Sequence, residues 1–288
     1  MQPKFEEKTF ESYFNNELDR KSSIYFPFGQ VQEGSIGADA ASYSRNRRLW
    51  WRLGYPFLLR TPFAGVNLTE IAEEMERHLG REIRNIPQIK ANLLFQYKRP
   101  EAIGSPLGAE WPHWNQKYFR YDIYQEQHAL LTHIESKFGS QTLVLYASPA
   151  VEDVNDLVRL KKSSNIVNST NFRRASELTG HSRNTYIKAG THSIACSDPV
   201  RLDPFDLVEK LEQLQPIRDK GNLQIIKEFT DGVRLSAQQD GGIGFAYRTA
   251  MEEYNEAGLS RFPLLYSSIS LSVFREISGV QWLAATAQ

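Results

Sequence analysis

The sequence predicts a mixed α/β fold, in which a mixed sheet is flanked by helices, followed by a mostly helical C-terminal extension. Segments with the apolar repeat of an amphipathic helix alternate with short apolar runs that are typical of strands. An apolar strand at residues 92–95 is followed first by a helix and then by another apolar strand. The chain of 288 residues is 41% hydrophobic and 24% charged, which is ordinary for a soluble globular protein.

Charge and cysteine content limit the classes of protein that the sequence fits. Lys+Arg and Asp+Glu number 34 each, and this balance counts mildly against a stand-alone nucleic-acid-binding protein. The single cysteine, Cys196, permits no internal disulfide and fits a reducing compartment. No apolar run approaches the ~18–20 residues of a membrane span, and the N-terminus carries no apolar signal region. We therefore expect a cytoplasmic protein without a membrane segment.

Residues 6–19 predict a first helix. Its apolar residues share one stripe at helical spacing, namely Phe10, Tyr13, Phe14 and Leu18. Glu7, Glu11 and Glu17 lie on or beside that stripe. Acids in such positions either flank the core and reach water, or one of them points into a cleft as a metal ligand.

Residues 23–43 predict two strands and a turn. Pro27 lies within the first strand, at residues 23–29, and favours an edge position or a bulge. The second strand begins at Asp39. This aspartate follows Gly37 and Ala38, so a glycine-containing turn places one carboxylate at the start of the strand.

Residues 45–52 combine basic and aromatic side chains, in the order Arg45-Asn46-Arg47-Arg48-Leu49-Trp50-Trp51-Arg52. Arginine with tryptophan suits a surface for phosphates and bases, a protein interface, or an amphipathic segment that covers its own core. Residues 68–80 then predict a helix, with Thr69 as its cap and Gly80 as its end. The stretch at about 45–90 is interpreted as an insertion.

The central strand is predicted at residues 92–95, after which the chain presents Gln96 and Lys98 and is stopped by Pro100. Gln96 and Lys98 are two residues apart, so their side chains lie on the same face of the sheet. Lysine is rarely buried without a partner. Lys98 therefore either emerges into water at the end of the strand or lies opposite an anion.

The next elements are a loop at 104–114, a strand at 118–123, a helix at 125–138 and an apolar strand at 142–147. The loop is rich in turn-forming and aromatic residues, which suits a lid or a docking surface. The predicted inner stripe of the helix is Ala129, Leu130, Ile134 and Phe138. From this helix, we expect Gln127 and His128 to be in a position to face Gln96 and Lys98 at the end of the central strand.

The remaining residues carry a second basic cluster and weaker signals. The cluster, within 153–180, suits a solvated face or a nucleic-acid contact and contains Arg159, Lys161, Lys162, Arg173 and Arg174. Residues 183–196 predict a hairpin, and residues 204–214 a helix capped by Asp203. Beyond residue 223 the sequence pattern is less regular and predicts a turn at 241–244. The tail at 263–285 is apolar and serine-rich, and we expect it to pack on the body of the protein or on a partner.

The PD-(D/E)xK nuclease superfamily has a characteristic pattern: an aspartate, then a strand that carries an acid or amide, any residue and a lysine. This chain resembles its Gln-x-Lys variant over about its first half, with Asp39, Gln96 and Lys98 in the three positions. It is similar in particular to Mrr-like restriction enzymes and to nuclease modules of bacterial anti-phage defence proteins. Glu11 directly follows Phe10, as in Mrr-like first helices, and takes the remaining acid position.

The resemblance implies a restriction-endonuclease-like core and a metal-dependent DNA endonuclease that acts in anti-phage defence. Asp39, Gln96, Lys98 and Glu11 are then catalytic, and the first two together with Glu11 hold Mg²⁺ or Mn²⁺. The predicted nucleic-acid contacts are Arg45, Arg47, Arg48, Arg99, Lys161 and Lys162.

The predicted division places the nuclease domain at 1–205 and a helical region that binds a partner or regulates at 206–288. A protein partner or a second copy of the chain is expected. The alternative is a non-catalytic subunit that keeps the nuclease fold as a scaffold in a larger assembly. The zero net charge and the basic, aromatic loops favour that alternative.

Overall fold

The computed structural model describes residues 5–25, 68–188 and 191–287. Over these residues the protein is a mixed α/β chain with two five-stranded sheets and flanking helices, which confirms the predicted fold class at that level. The chain divides into two compact units. The first comprises residues 1–25, 89–217 and 278–288, and the second comprises residues 26–88 and 218–277. The predicted boundary at 205/206 and the predicted insertion at about 45–90 stay predictions.

The helices are α1 (Glu7–Lys21), α2 (Leu68–Asn85), α3 (Trp111–Trp114), α4 (Gln125–Phe138), α5 (Val154–Lys162), α6 (Leu207–Gln213), α7 (Asn222–Ala237), α8 (Gly242–Glu256) and α9 (Pro263–Ser278). The strands are β1 (Ile24–Tyr25), β2 (Ile89–Tyr97), β3 (Glu101–Ile103), β4 (Tyr118–Asp122), β5 (Thr142–Pro149), β6 (Thr170–Arg174), β7 (Arg183–Tyr186), β8 (Ser193–Cys196), β9 (Val200–Leu202) and β10 (Val280–Thr286).

The first sheet of the first unit has β2 at its centre, in the order β1-β10-β2-β5-β6. Strand β2 is antiparallel to β10 and parallel to β5. Its residues from 91 to 97 are all buried, as expected of a central strand covered on both faces. The predicted helix and strand after β2 are confirmed as α4 and β5, and the long excursion between β2 and β5 allows them to run parallel.

Helices cover both faces of β2 and thereby define which side chains meet. On one face, Tyr97 packs edge-on against Phe10 and Phe14 of α1, with ring centroids 5.7 Å apart in both pairs. On the opposite face, Gln96 contacts Gln127 of α4. The alternation of side chains along β2 therefore directs Gln96 and Lys98 away from the aromatic core under α1.

The second sheet of the first unit has the order β3-β4-β7-β8-β9 and is antiparallel throughout. Its β7–β8 pair confirms the predicted hairpin. Tyr186 donates its hydroxyl to Ser148 Oγ of β5 at 2.8 Å, and the Tyr121 ring stacks on that of Tyr146 at 6.0 Å. These contacts join the second sheet to the first beside the end of β2.

The described part of the second unit consists of helices α2, α7, α8 and α9 with one short 3₁₀ turn. Glu76 of α2 accepts hydrogen bonds from the backbone N–H groups of Leu264 and Leu265 at 2.9 and 2.8 Å. A carboxylate there satisfies free N–H groups at the start of α9 and faces the positive end of its dipole. The apolar, serine-rich tail thus forms a helix whose Ser267, Ser268 and Ser270 are buried.

Several element limits differ from the sequence predictions. Helix α2 continues through Gly80 to Asn85, because Leu79 and Ile83 extend its buried stripe beyond the glycine. Helix α6 begins after Asp206, whose carboxylate accepts from Glu209 N at 3.0 Å, and not at Pro204 after an Asp203 cap. Helix α8 begins at Gly242, so only Gly241 of the predicted 241–244 turn lies outside it.

Two further predictions are corrected by burial. The inner stripe of α4 is formed by His128, Leu131, Ile134 and Glu135, while Ala129 is exposed. The stripe is rotated because His128 and Glu135 have buried hydrogen-bond partners, which an apolar pattern does not count. In the second basic cluster, Arg173 is fully buried and Arg174 is paired with Glu135 at 2.7 Å, so neither belongs to a solvated face.

The end of the chain enters the first sheet. Gly279, with φ of 69°, turns the chain after α9, and β10 then lies between β1 and β2. Among the described strands, β1 pairs only with β10, so it occupies an edge of the described sheet, as Pro27 favours. Pro27 itself lies outside the described residues. The same holds for the strand predicted from Asp39. Among the described helices, none combines the length and the apolar character that crossing a membrane requires.

Candidate active site

The candidate site begins where β2 ends, at Lys98. Its backbone is held although it lies past the strand: Lys98 N donates to Ala147 O at 2.9 Å, and Ser148 Oγ donates to Lys98 O at 2.9 Å. Ser148 Oγ in turn accepts from the Tyr186 hydroxyl. The parallel pairing of β2 with β5 therefore continues to Lys98 and aims its side chain at a defined place.

The Lys98 side chain is largely buried and has no hydrogen-bond partner among the described residues. The residue is 8% exposed, and within residues 5–25, 68–188 and 191–287 no hydrogen bond or ion pair reaches its Nζ. Two aromatic rings flank this atom, that of Tyr124 at 5.1 Å and that of Tyr146 at 5.7 Å from Nζ to the ring centroid. Both rings offer the electron-rich face that attracts a cation.

Burial is the main influence on the ionisation of Lys98. It lowers the pKa of the ammonium, because the charged form is disfavoured away from water. The carboxylates of Glu7 and Asp122 oppose this shift from longer range. Asp122 is itself held by Arg183 at 2.6 Å, so part of its charge is already balanced.

Glu7, in the first turn of α1, is the acid that the structure couples to Lys98. Burial raises the pKa of its carboxyl, Lys98 lowers it, and the like charge of Glu11 raises it further. Glu7 Oε2 also accepts from Arg99 N at 3.3 Å, which ties the start of α1 to the end of β2. Glu7 was one of the acids on the predicted helix, but Glu11 was the predicted ligand because it follows Phe10.

Glu7 and Glu11 are four residues apart on α1, so they share one face of the helix. Burial is the main cause of the raised pKa of Glu7, and the like charge of Glu11 adds to it. That spacing was the available signal for Glu7 in the sequence. Glu17, the third acid of the same helix, is 1% exposed and accepts from Ile166 N and Val167 N at 2.7 and 3.2 Å, which is a structural role.

Gln96 takes part in a closed amide network. Its Nε2 donates to Tyr97 O at 3.0 Å, and its Oε1 accepts from Gln127 Nε2 at 2.6 Å. Gln127 also donates to Ser278 O, at the end of α9. The Gln96 oxygen keeps one lone pair for a further donor or ligand. The expectation that Gln127 can face the site agrees with this position.

His128 lies behind Tyr146. Its Nδ1 is 3.0 Å from the Tyr146 hydroxyl, while its Nε2 is buried and has no partner among the described residues. Burial lowers the pKa of His128, and nearby Lys98 lowers it further. The imidazole is thus neutral at pH 7, and Tyr146, whose pKa is raised by burial, stays protonated. This pair positions the ring that lies against Lys98.

The remaining predicted residues are distributed as follows. Asp39, Arg45, Arg47 and Arg48 lie outside the described residues, so their roles stay predictions. Arg99 is half-buried at the end of β2 and donates to Phe5 O at 3.4 Å. Lys161 and Lys162 are exposed on α5, with the Lys161 Nζ over the Tyr13 ring of α1 at 3.9 Å.

The acids near Lys98 bear on the predicted metal ion. Within the described residues there is no group of three or more His, Cys, Asp or Glu side chains that could hold a metal. Glu7 and Glu11 supply two carboxylates. Burial is the main cause of the raised pKa of Glu7, and a cation beside the two acids would offset the smaller contribution of their like charges. Mg²⁺ takes oxygen ligands, retains several waters and needs only one or two carboxylates, so the two acids of α1 fit its requirements.

Comparison with known proteins adds no assignment, since no family model, curated protein or solved structure matches this chain.

Proposed function

We propose that this protein is a metal-dependent endonuclease that hydrolyses phosphodiester bonds of DNA. The observation that carries the proposal is Lys98, a lysine that is 8% exposed and lies at the end of the central strand. Its Nζ has no hydrogen bond or ion pair among the described residues, and the charges that act on it are those of Glu7 and Asp122. A buried charge without a partner costs stability. Such a group is expected where function needs it, as at sites that bind or transform an anion.

The described residues divide the work of phosphodiester hydrolysis among them. Lys98 orients the attacking water and stabilises the charge that develops on the phosphoryl oxygens. Glu7 and Glu11, with Asp39 as predicted, hold the Mg²⁺ or Mn²⁺. A bound ion of this kind supplies Lewis-acid activation and charge neutralisation. The amide network of Gln96 and Gln127 fixes the strand end that carries Lys98.

The resemblance to defence nucleases extends the proposal to the biological setting, an effector against phage DNA that works with a protein partner or a second copy of itself. Exposed Lys161 and Lys162 are available as phosphate contacts on α5. Arg99, half-buried next to Lys98, is the described basic residue closest in sequence to the site.

A non-catalytic subunit is the second candidate, and the amide network favours it. Gln96 occupies a position where an acid would add a ligand charge, and its amide is already bonded to Tyr97 O and to Gln127. In this alternative the fold serves as an interaction scaffold and Lys98 binds an anion without turnover.

The deciding experiment is cleavage of plasmid, linear duplex and single-stranded DNA with Mg²⁺ or Mn²⁺. The site variants are Lys98→Met, Asp39→Ala and Glu7→Gln. Lys90→Met is the matched control on the same strand, and Glu6→Gln is the exposed acid beside Glu7. We expect wild-type cleavage to require the metal, and each site variant to lose about a hundredfold or more in rate.

The two candidates give opposite results in this assay. Cleavage at the wild-type rate by Lys98→Met would rule out the proposed role of the lysine. Wild-type protein that binds these substrates and cleaves none of them with either metal would favour the scaffold.

A further inference from the structure

Tyr124 is an aromatic side chain that the fold leaves uncovered next to Lys98. It is 73% exposed, more than any other large aromatic residue in the described part of the chain. Its ring centroid is 5.1 Å from Lys98 Nζ. Folding therefore buries little of this ring, and the contact it makes is with the amine at the centre of the candidate site.

The backbone under Tyr124 is rigid. Ile123 N donates to Ser182 O at 2.8 Å, and Tyr124 O accepts from His128 N at 2.9 Å in the first turn of α4. No hydrogen bond of the Tyr124 hydroxyl occurs among the described residues. The ring thus projects from a hydrogen-bonded segment of backbone between β4 and α4.

We propose that Tyr124 stacks on an unpaired nucleobase adjacent to the phosphate that faces Lys98, so that the substrate is single-stranded nucleic acid, or a single-stranded end or flap. This inference rests on the proposed function, and it names the substrate class of that site.

Stacking on an exposed aromatic ring is how proteins bind single strands without regard to sequence, because every base has a π-face. A ring 5.1 Å from the phosphate-facing amine lies within the reach of one nucleotide. Inside a duplex both faces of a base are covered by its neighbours. A ring in this place can therefore engage only a base that is already unstacked, or one that the protein extrudes at a cost.

The charges around Tyr124 are compatible with a nucleotide there. Asp122 and Glu126 are the acids nearest to it in sequence, and Arg183 pairs with the Asp122 carboxylate at 2.6 Å. Lys98 lies between the rings of Tyr124 and Tyr146. A phosphate would thus meet the amine, while the base attached to it meets the exposed ring.

The test is binding in EDTA, where metal-dependent hydrolysis cannot occur. A short oligonucleotide with one 2-aminopurine is used as a single strand and as a blunt duplex, and both anisotropy and 2-aminopurine quenching are recorded. The variants are Tyr124→Ala and Tyr124→Phe, and Phe245→Ala is the matched control, since Phe245 is 66% exposed on α8. Circular dichroism confirms that each variant is folded.

We expect Tyr124→Ala to weaken single-strand binding by about fivefold to 150-fold and to abolish the quenching, as loss of one stacked base predicts. Tyr124→Phe keeps the ring and should remain within about twofold of wild type, as should Phe245→Ala. Binding of the duplex should change little in all three variants. An unchanged affinity in Tyr124→Ala, an equal loss for duplex and single strand, or no binding of the single strand by wild type would overturn the inference.

The outcomes separate this inference from the proposed nuclease. Metal-dependent cleavage together with unaltered single-strand binding by Tyr124→Ala would leave the nuclease standing and remove the stacking. Ring-dependent binding of single strands without cleavage by wild type would do the reverse.

Discussion

Replacing Lys98 by methionine is expected to stabilise the folded protein while abolishing its activity. The Lys98 residue is 8% exposed, and no hydrogen bond or ion pair from the described residues reaches its ammonium. Methionine keeps an unbranched apolar chain of similar length, so the packing around the stem is retained. The substitution therefore removes mainly the cost of burying the charge.

The magnitude follows from two opposing contributions. A buried charged group without its hydrogen bonds costs about 3 kcal/mol, and two partly buried cation–π contacts return about 1 kcal/mol each. Lys98→Met should thus raise the free energy of unfolding by about 1 kcal/mol. Lys90→Met should lower it by about 1.5–3 kcal/mol, because the Lys90 Nζ donates to Leu211 O at 2.6 Å. The two lysines of one strand are expected to respond with opposite sign.

The pH dependence provides an independent check of the same reasoning. Burial lowers the pKa of folded Lys98, whereas the unfolded chain titrates near 10.4. The cost of the buried charge is fully present below the folded pKa. As the pH rises through that value towards about 10.4, the unfolded state retains the proton that the folded state has lost, so wild-type stability increases relative to Lys98→Met.

Urea denaturation followed by circular dichroism measures these differences, with the denaturation midpoint and the slope compared at several pH values. A loss of 1 kcal/mol or more in Lys98→Met at neutral pH would refute the reasoning. It would mean that the folded protein compensates the Lys98 charge by a contact with residues outside the described ranges.

Two further predictions concern stability. Glu17→Gln should lower the free energy of unfolding by about 1–3 kcal/mol, because each carboxylate oxygen of Glu17 accepts from a backbone N–H and an amide would place an NH₂ group against one of these donors. In urea denaturation the exposed control Asp19→Asn should stay within about 0.5 kcal/mol of wild type. A Glu17→Gln variant as stable as wild type would contradict the structural role of Glu17. Gly244→Ala should lower the midpoint of thermal unfolding, because the added Cβ would collide with the Gln239 carbonyl. The control Gly221→Ala should leave the midpoint unchanged, because its Cβ would meet no atom within 4 Å. Equal midpoints for the two variants would contradict the close approach of the backbone at Gly244.

Elements that are marked by a short, continuous sequence pattern were predicted from that pattern. The apolar run before Gln96 was sufficient to identify β2. Helix α4 was predicted with both of its limits, because Gly139 ends it with a φ of 54° that favours glycine. The same patterns missed the buried face of α4, since the partners that allow His128 and Glu135 to be buried, Tyr146 and Arg174, come from other strands.

The candidate site was likewise predicted in part from the sequence. The spacing of Gln96 and Lys98 on one strand determined that they share a face, because side chains alternate along a strand. The sequence also placed Glu7 and Glu11 on one helix. It did not determine that Glu7 is the acid coupled to Lys98, since that depends on where α1 packs across β2.

By itself, the sequence determined the fold class, the central strand with its Gln-x-Lys pattern, and the order of helix and strand that follows it. Only the tertiary structure decided that residues 280–286 complete the central sheet, that Lys98 is buried between two tyrosine rings, and that Tyr124 stays exposed beside it. The physical reason is that strand pairing and burial join residues far apart in the chain, and no short-range periodicity records which of them meet.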